Sequence, residues 1–299
     1  MSLYMVADSL LLGLLNGCLY ALICVGIAMI FGVVGVVNFA HAELMMVAAY
    51  IVVFLTSYFG ASYSIIAIAI AVPLVGALGF AFDRVVLRQV RKSYGSNMRD
   101  RELSSLVGTM GMSFLLANGM FLLVGPDYVR VPRLVRGSTT GFLIGIPNQL
   151  IAAAIIAAAV IMVLFWILHR TNLGRAIRAV RDQPDIVESF GINRERIFAT
   201  AFGIAAALAG LAGTLLGPIH YVYPYMGSLY LIKAFVITVL AGLGSIQGVL
   251  VAAVGLAMLE SIGTTFYSAQ VGNMVFFVAM VVFLLFRPYG LFGKGEVVK

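Results

Sequence analysis

Apolar segments long enough to cross a bilayer recur along this chain, and that recurrence limits what it can fold into more than any other feature. They lie at about 9–30, 41–59, 63–82, 103–124, 148–168, 197–217, 227–242, 246–267 and 272–286. A helix rises ~1.5 Å per residue, so about 20 apolar residues cross a hydrocarbon core of ~30 Å. Within that core every backbone polar group must be bonded inside the chain, which makes continuous apolar segments of this length helices. Those near 31–50 and at 227–242 are the least regular, and each is either a spanning helix or a broken, re-entrant one. The expectation is an all-α polytopic membrane protein, a single transmembrane domain over residues 1–299 with eight or nine spans. Charged residues make up 10% of the chain and hydrophobic ones 62%, whereas a soluble domain is about a quarter charged.

The net charge of +7 does not point to nucleic acid, because the basic residues sit in loops between spans and report topology. Arg84, Arg88, Arg91, Lys92, Arg99 and Arg101 form one cluster, and the 170–196 segment holds six more arginines. Two spans separate the clusters, so they share a side, which the positive-inside rule makes cytoplasmic. Counting spans from there puts the N-terminus outside and the tail, with Arg287, Lys294 and Lys299, in the cytoplasm. The 125–147 loop then faces outward despite Arg130, Arg133 and Arg136, and Asp127, Pro126, Pro132 and Pro147 predict a structured loop. The opening residues MSLYMVADS lack the basic start of a cleavable signal peptide, so insertion is expected from the spans themselves.

The most polar stretch is HRTNLGRAIRAVRDQPDIVESFGINRER, from His169 to Arg196. Arg175, Arg178 and Arg181 recur every three residues, which spreads them over one part of a helix and leaves Ala176, Ile177, Ala179 and Val180 on the other. Pro184 ends that helix, and Gln183-Pro184 suits the start of a second one. Gly191 suits a C-terminal cap, and Asn193 can cap the helix that follows. The prediction is two short helices outside the membrane, read either as a solvated loop or as a docking element for a soluble partner.

Ionisable residues within spans are few, and each costs roughly 2.5–3.5 kcal/mol at the bilayer centre on insertion scales. Lys233 and Glu260 are both expected about 10 Å below the outer surface, counting ~1.5 Å per residue, where they can pair directly or through another polar group. Asn38, His41 and Glu43, in GVVNFAHAELMM, form a second polar group. His41 and Glu43 are two residues apart and point to different helix faces, so they are no ready catalytic dyad; they read as lining a gate or interface, or as a helix start capped by Asn38. Gly13/Gly17, Gly213/Gly217 and Gly244/Gly248 are small-residue pairs of the kind that let helix backbones approach or mark a broken helix along a pathway. Cys18 and Cys24 share a span on different faces, which makes a mutual disulfide implausible, and the three histidines (His41, His169, His220) are scattered. The sequence contains no nucleophile elbow, zinc-binding HExxH or phosphate-binding GxxxxGK[ST] loop, so if ATP drives the protein another chain must bind it.

Several blocks resemble one family, the inner-membrane permeases of branched-chain amino-acid ABC importers. Gly26–Tyr50 (GIAMIFGVVGVVNFAHAELMMVAAY) is similar to its opening signature, which ends in NFAHGE; Ala42 stands in place of the usual glycine. Leu173–Asn193 resembles its cytoplasmic coupling segment, and Ala207–Pro218 the helix that follows. Leu231–Ser261 is similar to its late KAF…GGLGSIPGA…ES block, with Ala241 and Gln247 as departures, and Arg287–Gly293 to its RPQGLFG tail.

The resemblance implies a permease that pairs with a second, homologous permease and two cytoplasmic ATPases carrying the ATP and Mg, binds no cofactor itself, and receives substrate from a periplasmic binding protein. It implies the bacterial inner membrane, no enzymatic activity of this chain's own, and a coupling segment at about 170–196. There Arg175, Arg178, Arg181 and Asp182 would make polar contacts to an ATPase, Ile177 and Val180 would be the apolar anchor, and Gly191 would cap. Asn38, His41, Glu43, Lys233 and Glu260 are the candidates for the translocation path or its gate. Relatives with these blocks are associated with branched-chain and other neutral amino acids, and with urea and short amides. A zwitterion needs a cation and an anion site; Lys233 and Glu260 either serve that need or satisfy each other. A stand-alone channel or ion-coupled carrier is the rival reading, and it requires transport without an ATPase.

Overall fold

The computed structural model describes residues 2–94, 98–141, 144–183 and 186–292. Helix α1 (Ser2–Val34) runs 33 residues without a breaker and ends at Gly35, whose φ of 73° only glycine adopts easily. A non-helical link leads to α2 (His41–Phe59), which starts beside the middle of α1, where His41 Nε2 lies 3.1 Å from Ile23 O. The region near residues 31–50 is therefore broken. Next come α3 (Ser64–Phe82), a π-turn at Asp83–Leu87, α4 (Arg88–Tyr94) and α5 (Met98–Val124). The basic segment read from sequence as a loop after residue 82 is thus helical as far as Tyr94; residues 95–97 lie outside the described residues. The second half comprises α6 (Asn148–Arg170), α7 (Asn172–Asp182), α8 (Arg194–Leu216), α9 (Met226–Ala241), α10 (Ile246–Phe266) and α11 (Ala269–Phe286).

Among the described residues, eight helices are long and apolar enough to span a membrane, and α9, at 16 residues, is shorter. The protein is an all-α polytopic membrane protein. Helices α1 and α8 are the most buried, while α5 and α11 form an exposed apolar rim.

Helix α1 lies along α10, and α3 along α8. The first contact depends on missing side chains: a Cβ at Gly13 would lie 2.5 Å from Met258 Cα, and one at Gly17 2.8 Å from Val254 Cα. This is the close approach expected where lipid supplies no hydrophobic drive. The Gly244/Gly248 pair is different. Gly244 precedes α10 in a turn, with φ 83°, and abuts Gly32, so it is not one half of a helix-packing motif. Gly217 likewise is the cap of α8 rather than part of its interior.

The fold has two distinct faces. On the N-terminal face, Asp8 Oδ2 accepts a 2.8 Å hydrogen bond from Ile144 N, and strands Ser138–Thr140 and Gly145–Pro147 pair antiparallel. Val129 bridges to Val222 on the same face, and Gln149 Oε1 accepts from Leu134 N and Val135 N. The 125–147 loop is therefore structured, through its own hairpin and its contacts to three other segments. The opposite, arginine-rich face carries the ends of α1 and α6, all of α7, the start of α10 and residues 287–292. There Leu291 N and Phe292 N donate to Leu240 O and Ala241 O, docking the tail against α9.

Candidate functional site

The 170–196 segment folds from its own local signals. Thr171 caps α7, its hydroxyl accepting from Gly174 N at 3.2 Å. Gly174 lies so close to Ile167 O and Leu168 O that any Cβ would collide, which sets the tight corner between α6 and α7. Arg175, Arg178, Arg181 and Asp182 are exposed. Arg175 donates to Asn172 Oδ1, Arg178 to Leu168 O, and Arg181 lies beside Gly244. Gly191 takes the left-handed cap conformation at φ 76°, and Asn193 caps α8 by accepting from Arg196 N at 3.0 Å.

Two expectations for this segment need correction. The second helix is only a 3-10 turn at Val187–Phe190 that follows Ile186, and Pro184, read as its start, lies outside the described residues. Ile177 and Val180 are 3% and 1% exposed. They seat α7 on the chain's own transmembrane helices and are closed to a partner. An amphipathic helix shows where its apolar stripe lies but not which protein covers it. The apolar side chains this segment does present are Ile186 and Phe190, the latter 78% exposed; neither falls on the arginine-bearing helix, so helical periodicity gives no signal for them.

Beside this segment lies an ion cluster that charge counting missed. Arg91 binds Asp83 with both terminal nitrogens, at 2.8 and 3.0 Å, and reaches Glu195 Oε2 through Nη2 at 2.8 Å and Nε at 3.2 Å. Its guanidinium carbon lies 4.9 Å from the centre of the Phe198 ring. In an uninterrupted α-helix, residues eight apart are rotated about 80° from each other. The wider π-turn between them changes that phase, and Asp83 and Arg91 meet. The cluster ties the ends of α3 and α4 to the first turn of α8, and Arg194 extends it to Glu188 at 3.1 Å.

The second site opens on the N-terminal face. A cavity of about 500 Å³ is bounded by α1, α9, α10, α11 and the loops around Tyr128 and Tyr223. On its wall Lys233 Nζ lies 2.5 Å from Glu260 Oε1 and 3.2 Å from the Tyr20 hydroxyl. The Tyr20 and Phe276 rings lie 5.3 and 5.5 Å from the same nitrogen. Glu260 is 14 residues into α10, and Tyr20 is 14 residues from the end of α1. Both counts place the pair ~21 Å from the arginine-rich end, at ~1.5 Å per residue. The pair is part-buried, at 16% exposure for each side chain, and Glu260 Oε2 accepts no hydrogen bond. His220, in the loop leading to α9, also lines the cavity; burial lowers its pKa, and the Lys233 charge lowers it further.

Asn38, His41 and Glu43 do not join that cavity. All three are buried at the start of α2. Asn38 Oδ1 accepts from Ala40 N at 3.0 Å, a local turn, and α2 has no side-chain cap. Glu43 packs against Gly227 in the first turn of α9, where a Cβ would lie 2.7 Å from Oε2. The starts of the link-preceded α2 and the short α9 therefore meet inside the protein, with a carboxylate at the positive end of α9.

The family described as branched-chain amino acid transport system/permease component matches residues 9–285. The chain belongs to this permease family. The BraD high-affinity branched-chain amino acid transport system permease protein of Pseudomonas aeruginosa is 33% identical, covering 99% of each chain. The LivH permease protein of Salmonella typhimurium is 31% identical over 96% of this chain and 95% of its own. The LivM permease protein of Escherichia coli is 26% identical over 91% of this chain and 67% of its own. No solved structure matches the chain significantly.

Proposed function

We propose that this chain is one of two transmembrane subunits of an ATP-driven importer for branched-chain or other neutral amino acids. It would sit in a bacterial inner membrane with its N-terminus outside and its arginine-rich face in the cytoplasm. The observation that carries this reading is the full-length family match together with a docked, amphipathic α7 on one face and a charged, membrane-embedded cavity opening on the other.

In this reading two ATPase chains, holding ATP and Mg, engage the surface of α7 and the adjoining turn. Arg175, Arg178 and Asp182 supply polar contacts, and Ile186 and Phe190 apolar ones. Ile177 and Val180 make α7 move with the transmembrane helices. The Asp83–Arg91–Glu195 cluster extends that stiff connection to α3, α4 and α8, so closure of the ATPases is delivered as a rigid-body shift. The Asn38–His41–Glu43 group, buried where two helix starts meet, is placed to act as the closed gate. A periplasmic binding protein would deliver substrate to the N-terminal face. The partner permease is a homologue, in keeping with this chain's similarity to both LivH and LivM proteins.

The test is affinity purification from the native membrane in mild detergent, followed by mass spectrometry. A second apolar permease and ATPases with phosphate-binding loops are expected to co-purify. A chain that arrives alone and transports without ATP in liposomes is a channel or carrier, and the proposal fails.

A further inference from the structure

The Lys233–Glu260 pair has hydrogen-bonding capacity left over on both charges. An ammonium has three donors, and Lys233 uses one on Glu260 and one on Tyr20. A carboxylate has about four acceptor sites, and Glu260 Oε2 accepts nothing although it is out of solvent. Asp83, by contrast, has both of its oxygens bonded to Arg91. The Lys233–Glu260 pair lies on the wall of a cavity that opens to the N-terminal face.

We propose that the pair is the headgroup site for a zwitterionic α-amino acid, an inference that rests on the importer reading above. The substrate carboxylate accepts the remaining Lys233 proton, and the substrate ammonium donates to the Glu260 carboxylate, whose Oε2 turns toward the cavity as the ligand enters. The two dipoles lie antiparallel, so the charges alternate around a closed quartet. The charged groups of an α-amino acid are separated by a single carbon, a spacing as short as the 2.5 Å contact they face. Leu12, Met226, Leu229 and Ala257 line the same cavity and can receive an aliphatic side chain. The Tyr20 hydroxyl meets both Lys233 and Glu260 and holds the pair in place.

Selectivity by charge follows. A zwitterion adds no net charge to a low-dielectric site, and each of its ends meets the opposite sign. A cationic ligand meets Glu260 but gives Lys233 no anion and leaves the site with a net positive charge; an anionic ligand meets Lys233 but gives Glu260 no cation and leaves a net negative one. Urea and short amides have no full charges to set against the pair. The pair itself would thus favour amino acids over amides, independently of the binding protein.

The experiment measures binding of radiolabelled leucine to the purified, complete transporter in lipid nanodiscs, without the binding protein, while ATP-driven leucine uptake is assayed in proteoliposomes of the same preparation. Competitors are leucinamide, which lacks the carboxylate charge, 4-methylpentanoate, which lacks the ammonium, and urea. Leucine at ten times its half-saturating concentration should displace about nine-tenths of the label, with leucinamide and 4-methylpentanoate at that concentration displacing little and urea none. Glu260→Gln, close in shape, should remove the leucine bound by this chain. If that variant does not fold, the wild-type competitor series decides alone. With uptake intact, an absence of leucine binding, equal competition by the charged analogues or by urea, or unchanged binding in Glu260→Gln overturns the headgroup site and leaves the importer standing. An absence of ATP-driven uptake of leucine and other neutral amino acids overturns the importer reading itself.

Discussion

Two ion clusters sit at opposite faces of this protein and are bonded in opposite ways. At the arginine-rich face, Arg91 spends its guanidinium on both oxygens of Asp83 and on Glu195, with Asp83 fully buried and Phe198 under the cation. At the N-terminal face, Lys233 and Glu260 share one contact beside an open cavity, and one carboxylate oxygen is unused. A bidentate, desolvated arginine fixes geometry, because every alternative leaves a buried charge alone. A lysine pair with spare donors and acceptors can take up a third charged group without being dismantled. The first arrangement suits transmission of force between helices, the second the exchange of a ligand.

This contrast can be broken from either end. Arg91→Met should have the largest effect on stability, roughly 3–5 kcal/mol, because it strands Asp83 in the interior; the unfolding midpoint of the detergent-solubilised protein reports it. Ile177→Asp comes next. A charge at a 3% exposed position should cost about 2–3 kcal/mol and unseat α7, with uptake lost while the chain still inserts. Glu260→Gln should cost only about 1–2 kcal/mol, since the cavity lets water reach the lysine it leaves behind, and the same preparation should transport poorly. A loss as large as that of Arg91→Met would mean that the pair is a structural strut after all.

The smallest effect on stability is expected at Phe190. Phe190→Asp lies at a 78% exposed position and should change stability by less than about 0.5 kcal/mol. ATP-driven uptake should nevertheless fall on the order of tenfold, the size of a 1–3 kcal/mol coupling. Uptake unchanged in Phe190→Asp but lost in Ile177→Asp would place the ATPase contact elsewhere.

How much of this was legible in the sequence depended on the range of the interaction. The spans, the cap at Asn193 and the break before His41 are local, and hydropathy, helix-start residues and glycine report them. The Lys233–Glu260 contact could be anticipated because intramembrane charges are costly and few. The Asp83–Arg91–Glu195 cluster could not, because its geometry depends on a π-turn and on a helix more than a hundred residues away. For α7 the apolar stripe was visible, but the surface it covers is a tertiary fact. Ile177 and Val180 therefore looked like partner contacts until their burial within this chain was known. The short α9 stood out by length alone, while its meeting with Glu43 did not.

The most direct test of the account is leucine uptake into proteoliposomes containing this chain with its co-purified partners, with the binding protein added outside and ATP either sealed within or omitted. The account predicts that leucine accumulates only when ATP is present, and that Phe190→Asp lowers this uptake without changing the unfolding midpoint. Equal leucine movement with and without ATP would contradict it, and would make the chain a channel or carrier in which the arginine-rich face has no ATPase to answer to.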